Sequence, residues 1–160
     1  LSTDRRGHIH YGSYFGPLWR AFWSYRQPQV SVEADGVTLF EGRGMVFVGN
    51  IPRYAIGLRL LDRATPFDGL LDVCVFDCSW QGPLLRHSVN VLLRRHIGTQ
   101  GVVYRQAQHV RVGSKAQPNR QKGQLAVPME LDGDLAGELP AEFGIRHRAV
   151  SFLVRQGWQA

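Results

Sequence analysis

The 160-residue chain is 44% hydrophobic and 20% charged, which suits one globular, soluble domain with a real core. Lys and Arg outnumber Asp and Glu by 19 to 13, a formal net charge of +6 with a pI near 9.9. That balance fits either an anionic partner or an ordinary soluble surface with extra arginines. No apolar run reaches the ~18 residues of a bilayer span, and the amino terminus lacks the basic, apolar, small-residue order of a signal peptide.

Residues 1–12 are polar and contain glycine, and they read as a flexible or linking segment ahead of a single domain over 13–160. Ser13 is placed to cap a helix with Pro17 in its opening turn. Tyr14, Phe15, Leu18, Trp19, Phe22 and Trp23 recur there at helical spacing, a stripe that suits either the core or docking onto another domain or a lipid. Strand character follows. Val30, Val32 and Ala34 alternate with polar residues, Asp35-Gly36 marks a hairpin, and Val37, Leu39 and Glu41 return. Met45 to Val48 and Leu70 to Phe76 are short apolar runs of the buried-strand type.

A second helix is expected over 83–96, with Pro83 at its start and Leu85, Val89, Leu92 and Leu93 as its apolar stripe. Arg94, Arg95 and His96 then occupy the last turn, and Gly98 lies just beyond. Short strands are expected near 102–105, 108–113, 124–131 and 149–154. Many short strands and few helices predict a mainly β fold, a two-layer antiparallel β-sandwich with one or two helices. Cys74 and Cys78 would lie roughly 13 Å apart if they share a strand rising about 3.3 Å per residue. A disulfide between them is then excluded, and buried free thiols in a reducing cytoplasm are expected.

Three segments carry candidate chemistry. Gly49-Asn50-Ile51-Pro52-Arg53-Tyr54 follows a strand, and Asn50 suits a turn or the edge of a substrate cleft. In Ala64-Thr65-Pro66-Phe67-Asp68-Gly69-Leu70-Leu71-Asp72-Val73, Asp68-Gly69 is a turn signal, while Asp68 and Asp72 offer the oxygen donors that Mg²⁺ or Ca²⁺ prefers. In Glu130-Leu131-Asp132-Gly133-Asp134, Asp-Gly reads as a hairpin turn, or the two carboxylates flanking the glycine as a general base with a supporting acid. The six histidines show no metal-ligand spacing beyond the neighbours His8 and His10. No nucleophile elbow or phosphate-binding loop occurs. The basic cluster Arg111, Lys115, Arg120 and Lys122 is interrupted by loop residues, and no nucleic-acid motif accompanies it.

The order of these segments resembles the carboxy-terminal domain of diacylglycerol kinase and sphingosine kinase-like lipid kinases. The match rests on Gly49-Asn50, Gly57, the run Asp68 to Val73, the helix over 83–96, and Asp132 to Asp134, within roughly residues 13–155. The resemblance implies a β-sandwich that faces a separate amino-terminal nucleotide-binding domain, with a lipid hydroxyl phosphorylated by ATP between them. It implies Asp134 as catalytic base and Asp132 as its support. Asn50, Tyr54 and Gly57 would line the substrate cleft. Asp68, with backbone oxygens near Thr65 and Leu70, would form a Mg²⁺ site.

The family usually has Glu where Asp134 stands, a side chain longer by one C–C bond of ~1.5 Å. Its glycine-rich segment after Asn is here Tyr54-Ala55-Ile56-Gly57-Leu58, with one glycine. Without the nucleotide half, the chain alone is expected to be inactive. The parent protein is expected to be cytoplasmic and peripheral at a membrane, with a lipid substrate and no nucleic acid, and a homodimer of the fragment is expected only through strand edges that a missing domain leaves open. The rival reading is a non-catalytic β-sandwich module that binds an anionic lipid or a phosphorylated ligand.

Overall fold

The computed structural model describes Trp23 and residues 26–54, 57–114, 127–147, 149–151, 153 and 155. The expected linker over 1–12, most of the helix expected from Ser13, and the lysines of the basic cluster lie outside the described residues. Trp23 itself is helical.

β1 (Gln29–Ala34) buries Val30, Val32 and Ala34 on one face, as alternating side chains of a half-covered strand must. It turns at Asp35 (φ 48°) and Gly36 (φ 79°), a left-handed pair that matches the twist of a two-residue hairpin. The Asp35 carboxylate also accepts hydrogen bonds from the backbone N–H groups of Gln108 and His109. One turn is thereby tied to the crossover between the strands that end at Ala107 and begin at His109.

The returning strand does not stop where the alternation fades. β2 (Val37–Gly49) runs for 13 residues and absorbs the apolar run at Met45 to Val48. Its first half pairs with β1, from Val37 opposite Ala34 to Arg43 opposite Gln29. Its second half pairs with β3 (Leu71–Asp77), from Gly44 opposite Asp77 to Gly49 opposite Asp72. The change of partner falls at Gly44, which is buried. A β-carbon there would run into the Phe76 carbonyl oxygen, so the close strand approach requires glycine.

β4 (Val102–Ala107) extends β3, β5 (His109–Ser114) pairs with β1, and β8 (Ala141–Gly144) closes the far edge. The strand order is β4-β3-β2-β1-β5-β8, antiparallel throughout. The bend in β2 lays the two wings face to face. Val32 and Ala34 of β1, Val73 and Val75 of β3, Ala107 of β4, and Val110 and Val112 of β5 form one core cluster. This is the expected antiparallel sandwich. A separate hairpin, β6 (Pro128–Leu131) and β7 (Asp134–Glu138), forms a two-stranded sheet.

A helix covers the outer face of β3. α1 (Gln81–Leu92) starts earlier and ends sooner than the expected 83–96. Arg94 adopts φ 54°, and its N–H and that of Arg95 bond back to Val91 and Asn90. Arg94 thus terminates the helix in the left-handed position that Gly98 was expected to supply. Cys74 and Phe76 of β3 pack with Leu60, Leu61, Ala64, Cys78 and Val91 in a second core cluster. β3 is therefore buried on both faces, the reason its sequence is continuously apolar rather than alternating.

The apolar stripe expected on α1 is present and faces outward. Leu85, Val89, Leu92 and Leu93 are 57%, 45%, 68% and 59% exposed, while His87 and Val91 are buried. His87 donates from Nε2 to the Asp77 carbonyl at 3.0 Å, and His96, past the helix, donates to the Leu60 carbonyl at 3.0 Å. Their rings lie 5.4 and 5.9 Å from that of Phe76. Two imidazoles with fixed backbone acceptors thus fill the layer against Phe76 of β3.

Two strand expectations also change. β7 and β8 were not anticipated, because β7 is wholly exposed and β8 only half-buried, so neither shows a strong apolar signal. The described residues within 149–154 carry no strand. Both cysteines are buried and free, as expected. Among the described residues no helix is long and apolar enough to cross a membrane.

Candidate functional site

The end of β2 opens a tight loop. Asn50 is half-buried directly after the strand, and Gly49 pairs with Asp72 of β3. The Tyr54 N–H donates to the Leu58 carbonyl at 2.7 Å and the Gly57 N–H to the Tyr54 carbonyl at 3.0 Å. Gly57 sits at φ 81° with open space around it, so this position selects glycine for its dihedral rather than for room. The Tyr54 ring meets Phe47 edge-on at 5.6 Å.

Tyr54 also reaches across to the small hairpin. Its hydroxyl donates to Glu130 Oε1 at 2.7 Å. This bond to Glu130, reinforced by partial burial and the carboxylate charge, holds the phenol above its ordinary pKa of 10.0, so it remains a donor at neutral pH. Glu130 lies on β6 immediately before the turn. There Asp132 (φ 51°) and Gly133 (φ 95°) form the connection, with Leu131 opposite Asp134. Asp132 and Asp134 are both exposed. Leu131 and Leu135 beside them are 56% and 78% exposed, so the carboxylates stand among aliphatic side chains on an open hairpin. The structure therefore joins the Asn50–Gly57 segment to the Asp132-Gly133-Asp134 hairpin through one side-chain bond.

The Asp68 segment forms a neighbouring cluster at the same end of β3. Asp68 Oδ1 accepts from the Leu70 N–H at 2.9 Å, the side-chain turn expected of Asp-Gly. Gln106 of β4 donates from Nε2 to Asp68 at 3.1 Å and to Asp72 at 3.3 Å. Asp72 is fully buried and also accepts from the Tyr104 hydroxyl at 2.6 Å. Burial and this bond to Asp72 raise the Tyr104 pKa, which keeps the phenol protonated against the carboxylate. Arg63 donates its N–H to the same hydroxyl, and its guanidinium lies 5.8 Å from the ring centre. Among the described residues no hydrogen bond or ion pair links Asp68 to Asp132 or Asp134.

The donor set bears on a divalent cation in a definite way. The Gln106 amide stands between the carboxylates of Asp68 and Asp72, so the two acids do not share an ion. No group of three or more His, Cys, Asp or Glu residues gathers among the described residues. What remains is one exposed carboxylate, Asp68, with Thr65 and Leu70 half-buried on either side of it. A carboxylate with backbone oxygens is a donor set that Mg²⁺ accepts when water completes its shell.

Tyr104 and Gln106 escaped the sequence reading as site residues, and Glu130 was read within the Glu130–Asp134 segment without a role of its own. Gln106 stands opposite Asp72 across β3 and β4, a cross-strand pairing that only the register reveals.

The relatives of the chain agree with this architecture. A family model, the YegS C-terminal NAD kinase beta sandwich-like domain, matches residues 3–154. A protein named diacylglycerol kinase from Bacillus subtilis (strain 168) is 30% identical over 128 residues, which is 79% of this chain and 39% of that protein. A solved structure from Bacillus anthracis strain Sterne, described as a diacylglycerol kinase, superposes with a TM-score of 0.51 at 16% identity, covering 82% of this chain and 43% of its own. Another from the same organism reaches a TM-score of 0.58 at 17% identity, over 85% and 44%. The chain thus spans less than half the length of these relatives. It belongs to the YegS C-terminal NAD kinase beta sandwich-like domain family, the carboxy-terminal domain of diacylglycerol kinase-like lipid kinases.

Proposed function

We propose that this chain is the substrate-side domain of an ATP-dependent lipid kinase that phosphorylates a diacylglycerol-like hydroxyl. The observation that carries the reading is the Asp132-Gly133-Asp134 turn, held beside the Asn50–Gly57 loop by the Tyr54–Glu130 bond. Asp134 accepts the proton of the lipid hydroxyl as the hydroxyl oxygen bonds to the γ-phosphorus of ATP and the bond to the ADP oxygen breaks. Asp132 shapes the turn that presents it. Asn50, Tyr54 and Gly57 bound the cleft, and the exposed Leu131 and Leu135 suit an aliphatic substrate. Asp68 would hold Mg²⁺ with the backbone oxygens of Thr65 and Leu70, and the ion would supply positive charge at the domain boundary.

ATP binding belongs in this reading to an amino-terminal nucleotide domain, and the whole protein works as a cytoplasmic enzyme at the membrane surface. The test is Asp134→Asn in the complete protein. Lipid phosphorylation should fall to background while the thermal transition is unchanged. Asp134→Glu keeps a carboxylate with ~1.5 Å more reach and should retain activity. Wild-type turnover by Asp134→Asn would remove Asp134 from the mechanism.

A further inference from the structure

The outer face of α1, continued by its C-cap residue Leu93, is apolar, and among the described residues nothing is packed over it. Leu85, Val89, Leu92 and Leu93 follow one another at i, i+4, i+7 and i+8, so they adjoin on one helical face, and all four are exposed. The opposite face already holds the layer against β3 through His87 and Val91. Trp80, just ahead of the helix, is 64% exposed.

Charge selects the occupant of this face. From Cys78 to Met129 the sequence holds six arginines and two lysines and not one Asp or Glu. Arg94 and Arg95 are exposed at the end of the stripe. An apolar stripe whose own segment, from Cys78 to Arg95, carries only the cations Arg86, Arg94 and Arg95 is poorly suited to a neutral protein groove. It fits a surface that is negative outside and hydrocarbon beneath, where leucines enter the acyl boundary and arginines stay with anionic headgroups. An exposed tryptophan beside it is placed as an interfacial anchor.

We propose that α1 is a membrane-contact element that lays Leu85, Val89, Leu92 and Leu93 onto an anionic lipid bilayer, with Arg94 and Arg95 at its headgroups. This rests on the reading of the parent protein as an enzyme of the lipid surface, but its test involves no catalysis.

The experiment is co-sedimentation of the 160-residue chain with vesicles of phosphatidylcholine alone and of phosphatidylcholine with phosphatidylglycerol, at low and physiological salt. The wild-type chain should bind the anionic vesicles, bind the neutral ones far less, and weaken with salt. Leu92→Gln/Leu93→Gln alters exposed residues only, so its thermal transition should match the wild type. Its vesicle affinity should fall at least about tenfold. Arg95→Glu should lose the preference for anionic vesicles.

Three results would each overturn the proposal. These are no vesicle binding by the wild type, equal binding by the Leu92→Gln/Leu93→Gln variant, or a wild-type dimer in size-exclusion chromatography that this variant converts to monomer. The last assigns the stripe to a second copy. Vesicle binding through α1 alongside full activity of Asp134→Asn would keep this inference and discard the catalytic one.

Discussion

Asp72 shows at the scale of a single residue how a polar group survives in this core. Its side chain is fully buried between β2 and β4, yet both carboxylate oxygens have partners, Tyr104 on one and Gln106 on the other. A buried carboxylate is tolerable only while such bonds replace the lost water. Tyr104→Phe keeps the ring and removes the donor, leaving one oxygen unsatisfied. The variant should lose ~1–3 kcal/mol of unfolding free energy, measurable by urea denaturation. The single bond of Tyr54 to Glu130 lies on the surface and matters differently. It orients the candidate cleft more than it stabilises the domain, because an exposed partner regains water when the bond breaks.

Among the elements, α1 departs furthest from sequence expectation. The leucine periodicity is genuine, but it describes the face turned to solvent. The packed face uses His87, held by the Asp77 carbonyl, and Val91. Burial draws the His87 pKa below its ordinary 6.5, outweighing the opposing effect of the Asp77 carbonyl. Among the described residues its buried Nδ1 has no hydrogen-bond partner, so a proton there finds no acceptor among them. In the unfolded chain the same ring protonates near 6.5. The unfolded state therefore binds more protons as pH falls below that value, and stability declines. The loss should end once folded His87 also titrates. Denaturant melts between pH 8 and pH 5 should show a decline beginning near 6.5 that is shallower in His87→Gln. An unchanged slope in that variant would assign the effect elsewhere.

At the scale of the molecule, the bend of β2 at Gly44 turns one antiparallel sheet into two packed wings, and α1 adds a third layer over β3. The two thiols lie in that outer layer. Burial pushes the Cys74 thiol up to about 12. Burial, with the nearby Asp77 charge, pushes Cys78 up to about 11. Both are protonated at neutral pH, and the thiolate is the reactive form. A disulfide-exchange reagent at pH 7.5 should therefore leave both cysteines untouched in the native chain and titrate two on addition of denaturant. Rapid native-state labelling would mean that α1 opens from β3 independently of the sandwich.

The features legible in the sequence are those set by local dihedrals and composition. Asp35-Gly36 and Asp132-Gly133 were readable as turns because few residue pairs accept positive φ. The strands at Val30 to Ala34 and Leu71 to Phe76 were readable from their patterns, and Cys74 and Cys78 were expected as buried free thiols. The candidate residues Asn50, Asp68 and Asp134 came from the order of short segments. Tertiary structure decided whatever depends on a neighbour distant in sequence. It set the partner change of β2, the inward face of α1, the weakly apolar strands β7 and β8, and the bonds from Tyr54 to Glu130 and from Gln106 to Asp68 and Asp72. Periodicity says that a helix or strand has two faces. Which face is buried depends on the surface it meets, and at α1 and the turn after it that surface offered two carbonyl oxygens and an aromatic ring, which His87 and His96 satisfy and leucines would not.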